Sequence, residues 1–197
     1  MSQGSLFGDA AAPAQQESRQ AAPPRHTWFF ALRPDPEDAQ QIYARAESLL
    51  AGAGVSGKRI SPDRLHVTLE LVGHDIDEAR VAAACRAADT IRVPGLDVRF
   101  DASMTFSAPS GPFVLLGGEG LDGVRRLRTA LGCAMADAGF SPPRTYEPHM
   151  TLCYDPRHHQ PRLPIEHIAF RANEFALVKS HIGYSRHEVL RTWPLLG

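Results

Sequence analysis

The sequence has little cysteine, no long apolar run and no surplus of either charge. Its three cysteines, Cys85, Cys133 and Cys153, are scattered and lack a CxxC spacing. That excludes a disulfide framework and fits reduced thiols in a cytoplasmic protein. A net charge of −1 leaves no global basic field to gather nucleic acid, although a local basic groove is still allowed. No apolar stretch is long enough to span a membrane. No basic segment followed by an apolar one opens the chain, so no secretory signal is expected. Neither GxGxxG nor GxxxxGK[ST] occurs, which disfavours dinucleotide and P-loop nucleotide binding. His158, His159 and His167 lack the paired spacing and carboxylates of a zinc site. A polar loop is expected there, with no metal and no cofactor.

What is present is enough apolar material, 43%, for a core in 197 residues. Residues 1–25 are rich in Ala, Gln, Pro, Gly and Ser and cannot bury enough surface to order themselves. They read as a disordered tail. Within it, Gln3-Gly4-Ser5-Leu6-Phe7 has the outline of the short Gln-x-x-Leu-Phe peptides that bacterial proteins insert into the DNA sliding clamp. A weak clamp contact through Gln3, Leu6 and Phe7 stands beside a chance match in five residues.

Residues 26–197 read as one two-lobed domain. A strand is expected over 26–33, then a helix over 36–51 capped by Asp35, with Ala39, Ile42, Tyr43, Ala46, Leu49 and Leu50 as its apolar stripe. A strand over 65–72 ends at Gly73. A helix over 75–90 follows, with Ile76, Ala79, Ala82 and Cys85 inward. Leu96, Val98 and Phe100 alternate with Asp97, Arg99 and Asp101, as in a half-buried strand. A hairpin turn at 109–112 leads into a strand over 113–117. A helix over 121–138 carries Leu121, Val124, Leu127, Leu131 and Met135, with Arg125, Arg126 and Arg128 on other faces. A strand over 147–154 precedes three more, over 165–171, 174–183 and 186–193. The order strand, helix, strand occurs twice. The expected fold is α+β and bilobal: two antiparallel sheets, helices outside, and duplicated units around a central cleft.

The chain is organised around a statement made twice. Arg64-Leu65-His66-Val67-Thr68-Leu69 and Glu147-Pro148-His149-Met150-Thr151-Leu152 both read His, apolar, Thr, Leu, each in a strand-like run. Residues two apart in a strand share a face. His66 therefore lies with Thr68 and His149 with Thr151, while Val67, Leu69, Met150 and Leu152 point into the core. A single His-x-Thr in a strand is ordinary. Two copies in matching contexts point to a cleft with two imidazoles and two hydroxyls. Imidazoles can divide proton transfer into a base and an acid, and hydroxyls can donate to anionic oxygens. In-line displacement at a phosphodiester is the reaction that uses both.

These two motifs, with Thr27-Trp28-Phe29-Phe30-Ala31-Leu32 as an opening strand, resemble the two-histidine phosphoesterases. Within them the chain is most similar to the RNA 2',3'-cyclic phosphodiesterases, also called 2'-5' RNA ligases, over about residues 26–194. The resemblance implies a bilobal fold and a substrate that is an RNA end or nucleotide carrying a cyclic phosphate. It implies that His66 protonates the leaving oxygen, that His149 activates water, and that Thr68 and Thr151 hold the phosphate oxygens. Many relatives carry Arg two residues past the second Thr-Leu, where this chain has Cys153-Tyr154. Arg144, Arg157 or Lys58 can supply the missing cation, and Arg59 is near in sequence. Tyr146 and Tyr154 are placed either to stack a base or to edge the core. A non-catalytic module that keeps the cleft to bind a nucleotide or RNA end is the alternative reading.

Overall fold

The computed structural model describes residues 25–197; Gln3, Leu6 and Phe7 lie outside the described residues. Nine strands and three α-helices follow in the order β1 (His26–Leu32), α1 (Pro36–Gly52), β2 (Lys58–Arg59), β3 (Val67–His74), α2 (Glu78–Ala88), β4 (Leu96–Thr105), β5 (Pro112–Leu116), α3 (Asp122–Asp137), β6 (Met150–Tyr154), β7 (Leu163–Ala172), β8 (Glu174–His181) and β9 (Arg186–Pro194). Among these residues no helix is long and apolar enough to cross a membrane.

The fold is mixed α/β and its strand pairings within the sheet are antiparallel, but the expected pair of sheets is one. All nine strands join in the order β7-β4-β5-β6-β3-β1-β8-β9, with the short β2 also on β6. The halves meet where Val67 of β3 pairs with Met150 of β6. Beyond that pair β3 leaves β6, and β2 takes its place, with Lys58 opposite Tyr154 and Arg59 opposite Cys153. Gly57 permits this approach, because a Cβ there would lie 2.1 Å from the Tyr154 carbonyl oxygen.

The two halves of the sheet share one core. A single apolar cluster runs from Trp28, Phe30 and Leu32 through Leu127, Leu131 and Met135 to Phe170, Phe175 and Trp193. Helix α3 packs on both β3 and β4, and α1 reaches β7. The helices thus cross the midline and pack on strands from both halves of the sheet. On the other face lie two small apolar groups, Phe29, Ala31, Ala176 and Val178 on one half, and Ala102, Val114 and Leu116 on the other.

Local signals set most boundaries. The Asp35 carboxylate accepts the Asp38 N–H at 2.8 Å and starts α1, whose Ala39, Ile42, Ala46 and Leu50 are buried. Helix α2 starts later than expected, because Asp77 is the residue that caps it, through the Arg80 N–H. Its buried face is Ala84, Ala87 and Ala88; the expected Ile76 and Cys85 pack against the core partly buried, whereas Ala79 and Ala82 face solvent. A run of alanines carries almost no period, so its buried face is decided by what it packs against.

Candidate active site

The two His-x-Thr strands do not face each other across a gap; they lie side by side at the centre of the sheet. The Val67–Met150 pairing sets their register. Carried one residue to either side, it sets His66 against Thr151 and His149 against Thr68. Directly opposed residues in an antiparallel pair have Cβ atoms about 4.5–5.5 Å apart, and diagonal ones about 7–8 Å. Each imidazole therefore neighbours the other motif's hydroxyl, and the two imidazoles are diagonal neighbours on one face. Val67 and Met150 are wholly buried on the opposite face.

Each motif also carries a β-bulge, and in the same place. Ala31 pairs with Thr68 but Phe30 pairs with Glu70, so Leu69 is the extra residue. Val114 pairs with Thr151 but Phe113 pairs with Cys153, so Leu152 is the extra residue. A bulge reverses the inside–outside alternation beyond it. Glu70 and Cys153 consequently turn into the core, at 2% and 0% exposure. Leu71 and Tyr154 turn outward.

Both imidazoles are held in one tautomer. His66 Nδ1 lies 2.7 Å from the Arg64 carbonyl oxygen, and His149 Nδ1 lies 2.8 Å from the Glu147 carbonyl oxygen. A carbonyl only accepts, so each Nδ1–H donates and each Nε2 is left with its lone pair free. Each ring also rests on a phenylalanine. Phe29 lies 5.0 Å from His66 and Phe106 lies 4.8 Å from His149, between ring centroids. The two halves thus present a base in the same manner. A cavity of about 260 Å³ opens beside His66, lined by Thr27, Phe29, Ile60, Arg64, His66, Thr151, Tyr154, Ser180 and His187; His149 and Thr68 are not in its lining.

A second imidazole, that of His187, stands in this cavity beside His66. His187 of β9 packs edge-on against His66, with ring centroids 5.2 Å apart. Burial first, and then neighbouring positive groups, lowers the pKa of both to about 4. Both are neutral at pH 7. When the chain unfolds, each returns towards its ordinary value of about 6.5. Between pH 4 and 6.5 the unfolded chain therefore binds more protons than the folded one, and stability falls as pH drops through that window. A lower urea midpoint at pH 5 than at pH 7 is the expected result; equal midpoints would contradict the assignment.

The other expected site residues divide. Tyr154 lines the cavity and is 40% exposed. Tyr146 does not line it. Its hydroxyl donates to the Thr68 carbonyl at 2.9 Å, its ring packs against the core, and burial raises its pKa. It is a strut from the second motif's approach to the first motif. Tyr146→Phe should cost about 0.5–1.5 kcal/mol of stability in a denaturant titration. Arg59 is engaged by α1: it donates to the Tyr43 carbonyl at 2.6 Å, lies over the Tyr43 ring and pairs with Glu47 at 3.6 Å. Arg144 and Arg157 are exposed and outside the cavity lining, and Lys58 donates to the Ser185 hydroxyl at 3.2 Å. Arg125 and Arg128 are committed to Glu147 and Glu70. His158 is structural: its Nε2 lies 2.9 Å from the Ala53 carbonyl oxygen and its Nδ1 lies 3.0 Å from the Thr105 hydroxyl. Among the described residues no three His, Cys, Asp or Glu side chains gather as a metal site. Burial raises the Cys153 thiol to about 11, which leaves it an unreactive core group.

Sequence reading passed over Arg64, His187, Phe29 and Phe106 as site residues. Arg64 had a signal, since it precedes His66 by two and shares its alternation. His187 had none, because its place depends on β9 lying next to β8 and β8 next to β1.

The family profile described as the 2'-5' RNA ligase superfamily matches residues 34–182. A solved structure described as a phosphoesterase is 25% identical, with a TM-score of 0.72 over 89% of this chain and 100% of its own. E. coli LigT crystallised with 3'-AMP is 25% identical over the same shares, with a TM-score of 0.70. The Thermus thermophilus protein TT0787, at 20% identity, shares the fold with a TM-score of 0.68 over 87% of this chain and 98% of its own. No curated protein matches the sequence.

Proposed function

The chain belongs to the 2'-5' RNA ligase superfamily, and from that premise we propose that it opens 2',3'-cyclic phosphates on RNA ends or nucleotides to 2'-phosphates. His66 and His149 share the proton transfers, without a metal or cofactor. The observation that carries this reading is the matched presentation of the two rings. Each gives its Nδ1 proton to a carbonyl two residues back and keeps Nε2 for chemistry. A binding module has no need of two such bases. The 3'-AMP complex of a relative supports a nucleotide as the ligand.

In the reaction, water attacks phosphorus in line with the departing 3' oxygen. One imidazole takes the proton of the water as the new P–O bond forms. The other gives a proton to the 3' oxygen as its bond to phosphorus breaks. The Thr68 and Thr151 hydroxyls donate to the non-bridging oxygens, where charge builds. With a 5'-hydroxyl in place of water, the same displacement forms a 2'-5' bond.

The role of His66 as the acid has a physical condition. Alone it is neutral at pH 7, because its pKa is about 4. An anionic phosphate against Nε2 favours the charged ring and raises that pKa. His66 then carries a proton that it lacks in the free protein, and such a proton is readily released to an alkoxide. NMR titration of the His66 ring should give a value near 4 alone and a clearly higher one with a 2'-phosphorylated nucleotide. An unchanged value would remove His66 from the acid role.

The test of the function is hydrolysis of a short RNA ending in a 2',3'-cyclic phosphate, in EDTA. Opening to a 2'-phosphate is expected. A 3'-phosphate product, or activity only with added metal, would refute the proposed chemistry.

A further inference from the structure

We propose that Arg64 is the phosphate-holding cation of this cleft. This deepens the reading of the site as one for a cyclic phosphate and rests on it for the reaction, but not for the binding itself.

Arg64 serves the site twice over, by different atoms. Its backbone carbonyl fixes the tautomer of His66. Its side chain lines the cavity that holds His66, Thr151, Tyr154 and His187. Its Nε is buried from solvent and has no hydrogen-bond partner. Among the described residues no carboxylate lies within ion-pair reach of its guanidinium, whereas neighbouring cations are occupied. Arg33 donates to the Asp63 carbonyl at 2.8 Å, Arg59 to the Tyr43 carbonyl at 2.6 Å and Lys58 to the Ser185 hydroxyl at 3.2 Å. A desolvated donor on a permanent cation is unfavourable unless an acceptor meets it. Among the described residues no acceptor does.

The walls of the cavity say what kind of acceptor would. They present a guanidinium, two neutral imidazoles and the Thr27, Thr151 and Ser180 hydroxyls, and no carboxylate. That is an anion site. A guanidinium offers planar paired donors that match two oxygens of one phosphate. His66 faces the same space, so the phosphate that Arg64 holds is the one on which His66 acts. Arg64 thereby places the anion and offsets the charge gained as the phosphorus becomes five-coordinate.

The experiment uses the full chain with inorganic phosphate as the probe, followed through the His66 ring signals by NMR. Wild type should bind phosphate with a shift of those signals. Arg64→Met keeps the backbone carbonyl and should weaken phosphate at least about tenfold, with Arg64→Lys between the two. Loss of the neighbouring positive charge should also raise the His66 pKa slightly in Arg64→Met, and an unchanged thermal midpoint would show that the variant keeps its fold. On a cyclic-phosphate RNA, kcat/KM should fall about 10²–10³-fold, mostly in kcat. Phosphate binding equal to wild type in a folded Arg64→Met, or no phosphate binding by wild type, overturns the assignment. Arg64-dependent phosphate binding without any opening of the cyclic ester upholds the assignment and removes the proposed reaction instead.

Discussion

Alanine at His66 or at His149 is expected to lower the opening of a 2',3'-cyclic phosphate by about 10²–10⁴-fold in each case. Each ring is the only imidazole in its motif, and each Nε2 is left with nothing to do in the fold, since Nδ1 alone is tied to the backbone. Removal should therefore act on turnover and leave folding almost untouched. Both side chains are only half-buried, on the face of the sheet opposite the main core. The double variant should be scarcely worse than either single one, because two groups that act on one proton balance fail together. Rates in EDTA beside thermal midpoints check both statements. Full activity in either variant would end the paired mechanism. A multiplicative loss in the double variant would mean that the rings act in separate steps.

The largest effect on stability is expected at Glu70 and Arg128. The Glu70 carboxylate, 1% exposed, lies 3.2 Å from the Arg128 guanidinium of α3, which is itself 13% exposed. The contact is an ion pair without a well-angled hydrogen bond, as neither Glu70 oxygen nor Arg128 Nε has a hydrogen-bond partner. Burial raises the Glu70 pKa, and Arg128 pulls it back down. Arg128 also donates to the Pro143 carbonyl and lies beside the Tyr146 ring, so the pair ties the first motif strand to the approach of the second. Glu70→Ala leaves a buried cation without its counterion and should cost about 3–5 kcal/mol. Replacing both partners, as in Glu70→Leu with Arg128→Met, should cost much less, because no charge is then left alone. Urea titrations of the single and double variants test this. Equal losses in both would mean that the pair contributes shape rather than charge balance.

This ion pair also marks the point at which sequence reading ends. Alternation from His66 through Thr68 would carry Glu70 onto the open face with them. The bulge at Leu69 turns it inward instead, and the bulge at Leu152 does the same for Cys153. No residue type in either run announces an extra residue. A bulge is settled by how neighbouring strands must twist to pair, and those neighbours, β1 and β5, are remote in sequence.

The sequence by itself determined what is local. Period placed α1 and α3, with Asp35 capping α1, alternation placed the strands, and the repeated His-x-Thr-Leu named the two imidazoles and hydroxyls with the face that each pair shares. It also determined the family, since the motifs are contiguous text. Tertiary structure decided everything that depends on which strand lies beside which. It joined two expected sheets through Val67 and Met150, which brings the two motifs side by side. It brought His187 beside His66, drew Tyr146 and Arg59 away from the open cavity, and left Arg64 facing it. Chain-local preferences act over a few residues, whereas sheet order is fixed by burying strands that are remote in sequence against one shared core. Only that shared burial could bring the two copies of the motif to one place.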